Sequence, residues 1–272
     1  MKSAAMVSRF LRACFFAQRV RGGERISPEA RWASLLAVLA LVSLFFWSCF
    51  SALRYHWTWD SVWAYQGYFL RGWLITLVLS VASLVFSTLL GLGLALMQRS
   101  SFLPSRYVSR VYVEIARGTP LLVQVLVLNY VVASAFHMGN RYAVGVLILS
   151  LYSGAYISEI IQAGIAGVGE SQLESARAIG LTRVQTYRYL IFPQALRHIL
   201  PPLGLQLVSL IKDSSLLSVI AISEFSKNAQ EVAAVTYSAM ESYFPLALGY
   251  LVLTLPLSLW TRRLAAHYRY ET

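Results

Sequence analysis

Charged residues are scarce in this sequence, and acidic residues are scarcer than basic ones. Only 13% of the 272 residues are charged and 57% are hydrophobic, whereas a soluble domain has about 25% charged and about 45–50% apolar residues. This composition argues against an ordinary cytosolic enzyme. Cysteines are too few for a disulfide framework, so no oxidising compartment is implied: only Cys14 and Cys49 are present.

The sequence also lacks the residue patterns of nucleotide binding and covalent catalysis. No glycine-rich loop that ends in Lys-Ser or Lys-Thr is present, so the chain has no phosphate-binding loop for ATP. The fragment Gly91-Leu-Gly93 is better interpreted as close helix packing through small residues. The histidines are scattered without metal-ligand spacing, at His56, His137, His198 and His267. We therefore expect no catalytic residue, no metal site and no cofactor in this subunit.

The hydrophobic residues that are present are concentrated in six blocks. Because an α-helix rises ~1.5 Å per residue, ~20 apolar residues cross the ~30 Å hydrocarbon core of a bilayer. The first two blocks contain no charged residue and are the clearest. The candidate spans are Trp32–Leu53, Trp73–Met97, Pro120–Phe136, Tyr142–Ser158, Ile199–Ser223 and Ser242–Thr261. This pattern predicts an all-α, polytopic membrane protein with six transmembrane helices.

The basic residues predict how these spans are oriented. There are 23 Lys and Arg against 12 Asp and Glu, which gives a net charge of +11. Most of the Lys and Arg residues lie before span one, between spans two and three, between spans four and five, or after span six. The exceptions are Arg54, Arg71, Arg141, Lys227 and the intramembrane Lys212. Since cytoplasmic loops are enriched in Lys and Arg, we expect both termini in the cytoplasm. The charge therefore indicates membrane topology rather than nucleic acid binding.

Composition also predicts the organisation of the chain outside the core spans. A basic cytoplasmic tail (1–31), which can also contact anionic lipid, precedes the first helix (32–53). We expect this helix to be retained, because its apolar block is longer than the about 7–15 residues of a signal peptide. An external segment (54–69) rich in Trp and Tyr is predicted to lie at the interface. The transmembrane core (70–264) and a short cytoplasmic C-terminal tail (265–272) complete the chain.

The loop 169–197 is longer than a connector needs to be, and it is patterned. Residues 174–179 predict a short helix, Gly180 a turn with positive φ, and Thr182 the cap of a second helix running toward Pro193. These elements would form a compact knob on the predicted cytoplasmic face. Pattern alone leaves open whether the knob docks on a partner or merely joins two spans.

The residues of this knob carry a family resemblance. Glu-Ser-Ala (174–176), three residues, Gly180, nine residues and Leu-Ile-Phe-Pro (190–193) closely resemble the EAA loop of membrane subunits of ATP-binding-cassette (ABC) importers. Three further segments are similar to permeases for polar amino acids: 114–124, 155–165 and 211–216. The resemblance runs from about Tyr68 to Leu264 and implies a five-helix importer core, to which the first span is an addition.

The resemblance implies the function and the partners of the chain. The chain would form half of the translocation pathway of an ATP-driven importer for polar amino acids or similar small zwitterions, in the inner membrane of a bacterium. The implied partners are a cytoplasmic ABC ATPase dimer that binds ATP and Mg²⁺, a second permease subunit that is identical or related, and an extracytoplasmic solute-binding protein. The residues implied in ATPase coupling are Glu174, Ala176, Gly180 and Pro193, with Ala176 allowing close approach.

Polar residues inside or beside the spans are candidates for the pathway or its gate: Glu114, Arg117, Gln124, Glu159, Lys212 and Asp213. A charge within the membrane is costly and usually faces protein or water. Lys212 and Asp213 either line the pathway or tie their helix to its neighbours through ion pairs. Glu159 could meet the ammonium of an amino acid, or pair with Arg117 or Lys212.

Two of these candidates have local interpretations as well. Glu114 and Arg117 are three residues apart, which predicts a local ion pair. Gln124 could line the pathway or form a hydrogen bond between helices.

Two other classes of protein stay open on the sequence alone. An ATP-independent secondary transporter or channel would be supported by inverted repeats, and none is visible. A membrane anchor or assembly factor would use the intramembrane charges only to hold its own helices together.

Overall fold

The computed structural model describes residues 18–20, 23–25, 28–53 and 55–268. Most of the predicted basic tail and residues 269–272 of the predicted C-terminal tail lie outside the described residues. The chain divides into two compact units, Met1–Trp57 and Thr58–Thr272. The predicted all-α class is confirmed, with one small pair of strands as the exception.

The first unit contains a short hairpin and one long helix. Strand β1 (Gln18–Val20) pairs antiparallel with β2 (Gly23–Arg25), within the segment predicted as a tail. Helix α1 (Pro28–Ala52) follows, and its large apolar side chains, such as Trp32 and Trp47, are exposed. A helix that is hydrophobic on every side is typical of a membrane span, which agrees with the first predicted span.

The second unit consists of ten helices in the part of the chain that the structure describes. They are α2 (Trp59–Trp63), α3 (Gln66–Gln98), α4 (Leu103–Gly118), α5 (Leu121–Val127), α6 (Arg141–Ala166), α7 (Glu170–Ala178), α8 (Arg183–Gln185), α9 (Phe192–Asp213), α10 (Phe225–Thr236) and α11 (Ala239–His267). A π-helical stretch, Leu128–Ala133, extends α5, and another, Thr186–Ile191, joins α8 to α9. A 3₁₀ stretch, Ser214–Ile220, extends α9.

The number of membrane spans is close to the prediction. Among the described residues, five helices are long and apolar enough to cross a bilayer: α1, α3, α6, the helical segment Arg183–Ile220 and α11. The bent pair of α4 with the extended α5 makes a sixth if it counts as one span. The helix that contains α9 begins at Arg183, far before the predicted start of the fifth span at Ile199, because α8 and the π-helical stretch run into α9 without a break.

The core of the second unit is built on α3 and α6, which run parallel to each other. In the middle of α3 and the first half of α6, the Ser150 hydroxyl donates to the carbonyl of Ser83 at 3.4 Å. Further along both, Leu90 packs directly on Gly154. Because paired residues advance in the same direction along both helices, the chain must return to its starting side between them.

The return is made by a bent helix pair, in which the predicted helix over Pro120–Phe136 is present as α5 with its π-helical extension and α4 is an addition that was not predicted. Helix α4 occupies the predicted connector, and it meets the extended α5 at 110°. Thr119 is extended (φ −111°, ψ 140°), as expected of a residue before proline. The Gln124 Nε2 donates to the carbonyls of Ala116 and Thr119 at 2.7 and 3.1 Å. Gln124 thus satisfies carbonyls that the end of α4 leaves free.

Small residues on α3 allow its backbone to approach α6. Thr76, Ser80, Ser83 and Ser87 are all buried along α3. A Cβ atom at Gly91 would lie 2.8 Å from Ile157 Cγ2, so any side chain there would force the helices apart. A Cβ atom at Gly93 would have no neighbour within 4 Å. The packing interpretation of the Gly-Leu-Gly fragment is therefore confirmed for its first glycine, and the second takes no part.

Helix α10 was not predicted, and a buried carboxylate attaches it to the bundle. Glu224 precedes α10 and accepts hydrogen bonds from the backbone N–H groups of Ser226 and Lys227 at 2.9 and 2.7 Å. Its Oε2 also accepts from the Tyr250 hydroxyl on α11 at 3.1 Å and from the Thr76 hydroxyl on α3 at 3.4 Å. Burial raises the pKa of Glu224 to about 7, although these hydrogen bonds lower it.

We expect Gly91→Val to destabilise the protein and Gly93→Val to have little effect. Overpacking a well-packed contact costs typically about 1–3 kcal/mol, and only the first substitution creates a contact under 3.0 Å. Thermal unfolding of the detergent-solubilised protein measures the difference. Equal melting temperatures for the two variants would contradict the close approach of α3 and α6.

We expect stability to fall as the pH rises from about 4.5 to about 7, because of Glu224. Its pKa is higher in the folded protein than the ordinary value of 4.5, so the folded state binds the proton more tightly. The stabilisation, up to about 3 kcal/mol from the pKa difference, is complete below the ordinary pKa and lost above about 7. In Glu224→Gln, the melting temperature should lose its dependence on pH across this range. Glu231→Gln, on the same helix, is the control; an unchanged slope in Glu224→Gln would refute the assignment.

Candidate translocation pathway and coupling loop

One face of α6 carries three polar side chains in a row. Tyr152, Tyr156 and Glu159 are spaced by four and three residues, so they lie on the same side of the helix. All three are partly exposed, whereas the residues between them are mostly buried. The Tyr152 hydroxyl donates to the Tyr156 hydroxyl at 3.2 Å. The same spacing is visible in the sequence and could have identified the two tyrosines.

Arg117, at the end of α4, completes this row. Its Nη1 lies 3.3 Å from Glu159 Oε2, and the two side chains are 45% and 44% exposed. Its guanidinium lies 5.6 Å from the centre of the Tyr156 ring, within the range of a cation–π contact. A half-exposed ion pair beside spanning helices is typical of a surface that faces water or solute. We call Arg117, Tyr152, Tyr156 and Glu159 the pathway cluster.

The ion pair of Arg117 differs from the local pair predicted with Glu114. Among the described residues, Arg117 pairs with Glu159 on another helix, and Glu114 is exposed on α4. Of the two partners considered for Glu159, Arg117 is the observed one and Lys212 is not. The reason is geometric, since the bend after α4 directs its last turn toward α6. The Tyr112 hydroxyl, which donates to the Leu151 carbonyl at 2.6 Å, anchors α4 there.

Lys212 and Asp213 lie at the last turn of α9, where the helix tightens into its 3₁₀ extension. Lys212 is exposed and Asp213 is half-buried. Within the described part of the chain, neither has an ion-pair partner, contrary to the interpretation that they tie α9 to its neighbours in this way.

The predicted helix, glycine turn and helix of the knob are confirmed. Helix α7 ends in a Schellman motif, in which Gly180 has φ +79°. The N–H of Leu181 donates to the Ala176 carbonyl and the N–H of Gly180 to the Arg177 carbonyl, both at 3.0 Å. Thr182 and Gln185 then form a reciprocal capping box that starts α8. Local hydrogen bonds therefore hold the turn in one conformation.

Exposed residues around this turn form a tip with an apolar surface. Ile179 and Val184 are 76% and 75% exposed, and Glu174 is exposed as well. Ala176 is only 4% exposed, so its side chain packs inside the chain and cannot contact a partner. Exposed apolar side chains on both sides of the Gly180 turn indicate a binding surface. We call Glu174, Ile179, Gly180 and Val184 the docking tip; the sequence interpretation had missed the two apolar members.

Pro193 lies in the first turn of α9, directly after the π-helical stretch that joins α8 to α9. Its side chain is exposed. From the docking tip, the helical segment Arg183–Ile220 continues through this residue into the membrane. The docking tip and the Lys212–Asp213 turn are therefore parts of one continuous helical segment.

A bundle of spans with a half-exposed ion pair between two of its helices and an exposed docking tip is typical of a transport subunit that is driven by a partner. Residues 87–270 match the family described as the inner membrane component of binding-protein-dependent transport systems. The chain belongs to this family: it is a membrane-spanning permease subunit of an ABC importer. Helix α1 lies outside the matched residues.

Individual relatives and solved structures agree with this assignment. The chain is 35% identical over 208 residues to the glutamine transport system permease protein GlnP of Escherichia coli K12, covering 76% of this chain and 95% of that protein. It is 37% identical over 191 residues to the probable glutamine ABC transporter permease protein GlnM of Bacillus subtilis 168, covering 70% and 88%. A crystal structure of an amino acid ABC transporter with histidines superposes with a TM-score of 0.73 at 36% identity, covering 78% of this chain and 100% of that one.

We expect the ion pair of the pathway cluster to act on solute and not merely to hold helices. Arg117→Gln and Glu159→Gln should each reduce uptake by the reconstituted importer about tenfold, which corresponds to about 1.4 kcal/mol. The double exchange Arg117→Glu with Glu159→Arg restores an ion pair with the charges reversed, and should not restore uptake. The control, Arg110→Gln, removes an exposed charge from the same helix as Arg117 and should leave uptake unchanged. Full recovery in the Arg117–Glu159 exchange would show that the pair is structural.

Proposed function

We propose that this subunit forms half of a pathway for polar amino acids or similar small zwitterionic solutes. The observation that carries the proposal is the pathway cluster, which presents a guanidinium and a carboxylate 3.3 Å apart, each about half exposed. A zwitterion carries the two complementary groups on one small molecule. The relatives named for glutamine transport, and the solved amino acid transporter, support the same solute class.

The chemistry of the pathway cluster suits an α-amino acid. The Arg117 guanidinium can accept a carboxylate in the planar, two-point arrangement that arginine favours. The Glu159 carboxylate can accept the ammonium group. While the site is empty, the two side chains neutralise each other, so neither charge stands alone in the membrane. The solute would exchange one ion pair for two, with the Tyr156 ring beside it. Lys212 and Asp213 would contribute further polar contacts or a gate.

The docking tip is proposed as the contact with a cytoplasmic ABC ATPase. Glu174 and Gly180 would take part as the resemblance implies, with Ile179 and Val184 supplying the apolar surface. Pro193 would stiffen the return to the membrane, and Ala176 would act by packing inside the loop. ATP and Mg²⁺ would be bound by two ATPase subunits, and this chain would have no catalytic role. Because the segment Arg183–Ile220 is one continuous helix of 38 residues, a displacement of the tip is carried directly toward Asp213.

The remaining parts of the proposal concern orientation and partners. Both termini would lie in the cytoplasm of a bacterium, which places Arg99 and the docking tip on the cytoplasmic side. The segments 54–69 and α10 would then face outward, where a solute-binding protein delivers its cargo. A second permease, identical or related, would complete the pathway. The parts 1–31, 32–53, 70–264 and 265–272 keep the roles predicted for them.

We expect Gly180→Asp to leave the protein in the membrane but to abolish ATP-driven uptake. The substitution places a side chain on a backbone with φ +79° and adds a charge to the docking tip, although no atom lies within 4 Å of the new Cβ position. Gly139→Asp is the matched control, because its Cβ position is equally open and it precedes α6 on the opposite side. Unaltered ATP-dependent uptake in Gly180→Asp would contradict the coupling role.

Two measurements test the proposal as a whole. The detergent-solubilised chain should co-purify with an ATPase whose turnover rises with a loaded binding protein. Uptake assays with a panel of labelled amino acids should then identify the solute class. Uptake that persists without any ATPase partner would favour an ATP-independent transporter or channel instead.

A further inference from the structure

Three arginines surround a cavity between the knob and the ends of two spans. The cavity has a volume of about 440 Å³ and is lined by Arg99, Arg177 and Arg183 together with apolar side chains. Arg99 directly follows α3, Arg177 lies on α7, and Arg183 begins α8. Ile165 and Val168, at the end of α6, form part of the wall. We call this the arginine cavity.

The positive charge of the arginine cavity is not balanced by this chain. No acidic side chain belongs to its lining. Within the described ranges, none of the three arginines forms an ion pair; the two pairs found involve Arg117 and Lys227. Like charges around one cavity repel each other, more strongly where apolar walls lower the dielectric constant. An anion in the cavity would replace this repulsion by attraction.

The lining fits a phosphate group in particular. Guanidinium groups bind phosphate through two parallel hydrogen bonds, and several can share one phosphate. The apolar wall, which includes Ile165, Val168 and Leu181, matches the glycerol and first methylene groups of a lipid. The cavity also lies where α3 and α6 end, which is the depth of lipid headgroups. Basic pockets between spanning helices on the cytoplasmic side are known to suit anionic headgroups.

We propose that the arginine cavity is a binding site for a phosphate-bearing anion, supplied by the headgroup of an anionic phospholipid. The phosphate would connect Arg99, at the end of α3, to Arg177 and Arg183 in the knob. The lipid would thereby fix the knob to the helical bundle. The site is independent of which solute the importer carries.

The test measures lipid binding to the purified full-length chain by native mass spectrometry, with phosphatidylglycerol and phosphatidylcholine as probes. Arg99→Gln with Arg183→Gln should weaken phosphatidylglycerol binding at least about tenfold. The control, Arg262→Gln with Arg263→Gln, removes the same charge from exposed positions at the end of α11 and should change binding less than about twofold. Arg177 is left intact because it adjoins the docking tip.

Competition by inorganic phosphate distinguishes the two sources of the anion. Phosphatidylglycerol binding that survives millimolar phosphate supports the lipid site, whereas a bound free phosphate that displaces the lipid would overturn the lipid assignment. Equal loss in both double variants would overturn the site altogether, because it would reveal a diffuse basic surface. Arg99→Lys with Arg183→Lys keeps the charge and the fold but removes the planar guanidinium groups. Its binding should fall between wild type and the glutamine variant, and wild-type affinity would contradict recognition through the planar guanidinium groups.

Discussion

The close approach of α3 and α6 is the constraint on which the rest of the second unit depends. Side chains on α3 are small where it meets α6, and at Gly91 and Gly154 there is no room for a Cβ atom on either helix. Because the two helices run parallel, no tight turn can join them, and the chain must cross back between them. The bend between α4 and α5 follows from this requirement. It brings Arg117 to Glu159, so the geometry of the pathway cluster follows from the packing of the core.

Charges are rare in this chain, and where they occur they are held by their surroundings in different ways. Glu224 is buried and hydrogen-bonded on several sides, and it joins α10 to α3 and α11. Arg117 and Glu159 pair with each other and stay half exposed, which keeps them available to a solute. Arg99, Arg177 and Arg183 have no acidic partner in the cavity that they share. The use of charge is structural in the first arrangement, and the proposed uses of the other two are transport and ligand binding.

Features of the sequence that act locally predicted the structure well. Uninterrupted apolar runs identify spans because a single helix satisfies its own backbone in lipid, and the Gly180 turn follows from capping chemistry within a few residues. The bend between α4 and α5 could not be predicted. It is stabilised by Gln124, which follows Pro120 in the chain and forms hydrogen bonds to carbonyls that precede it. The pair between Arg117 and Glu159 was predicted only as one of several alternatives, because Glu114 is nearer to Arg117 in sequence but not in space. Helix α10 depends on Tyr250 and Thr76, which are distant along the chain.

The parallel arrangement of α3 and α6 also bears on how the protein is made. The contact between Ser83 and Ser150 joins residues 67 positions apart, so α3 has left the ribosome well before its main partner has been synthesised. Its stripe of serines and glycines must meanwhile be accommodated by lipid or by other proteins. Contacts between distant residues form late and slowly. The face of α3 that later meets α6 is therefore exposed to its surroundings until α6 has been synthesised.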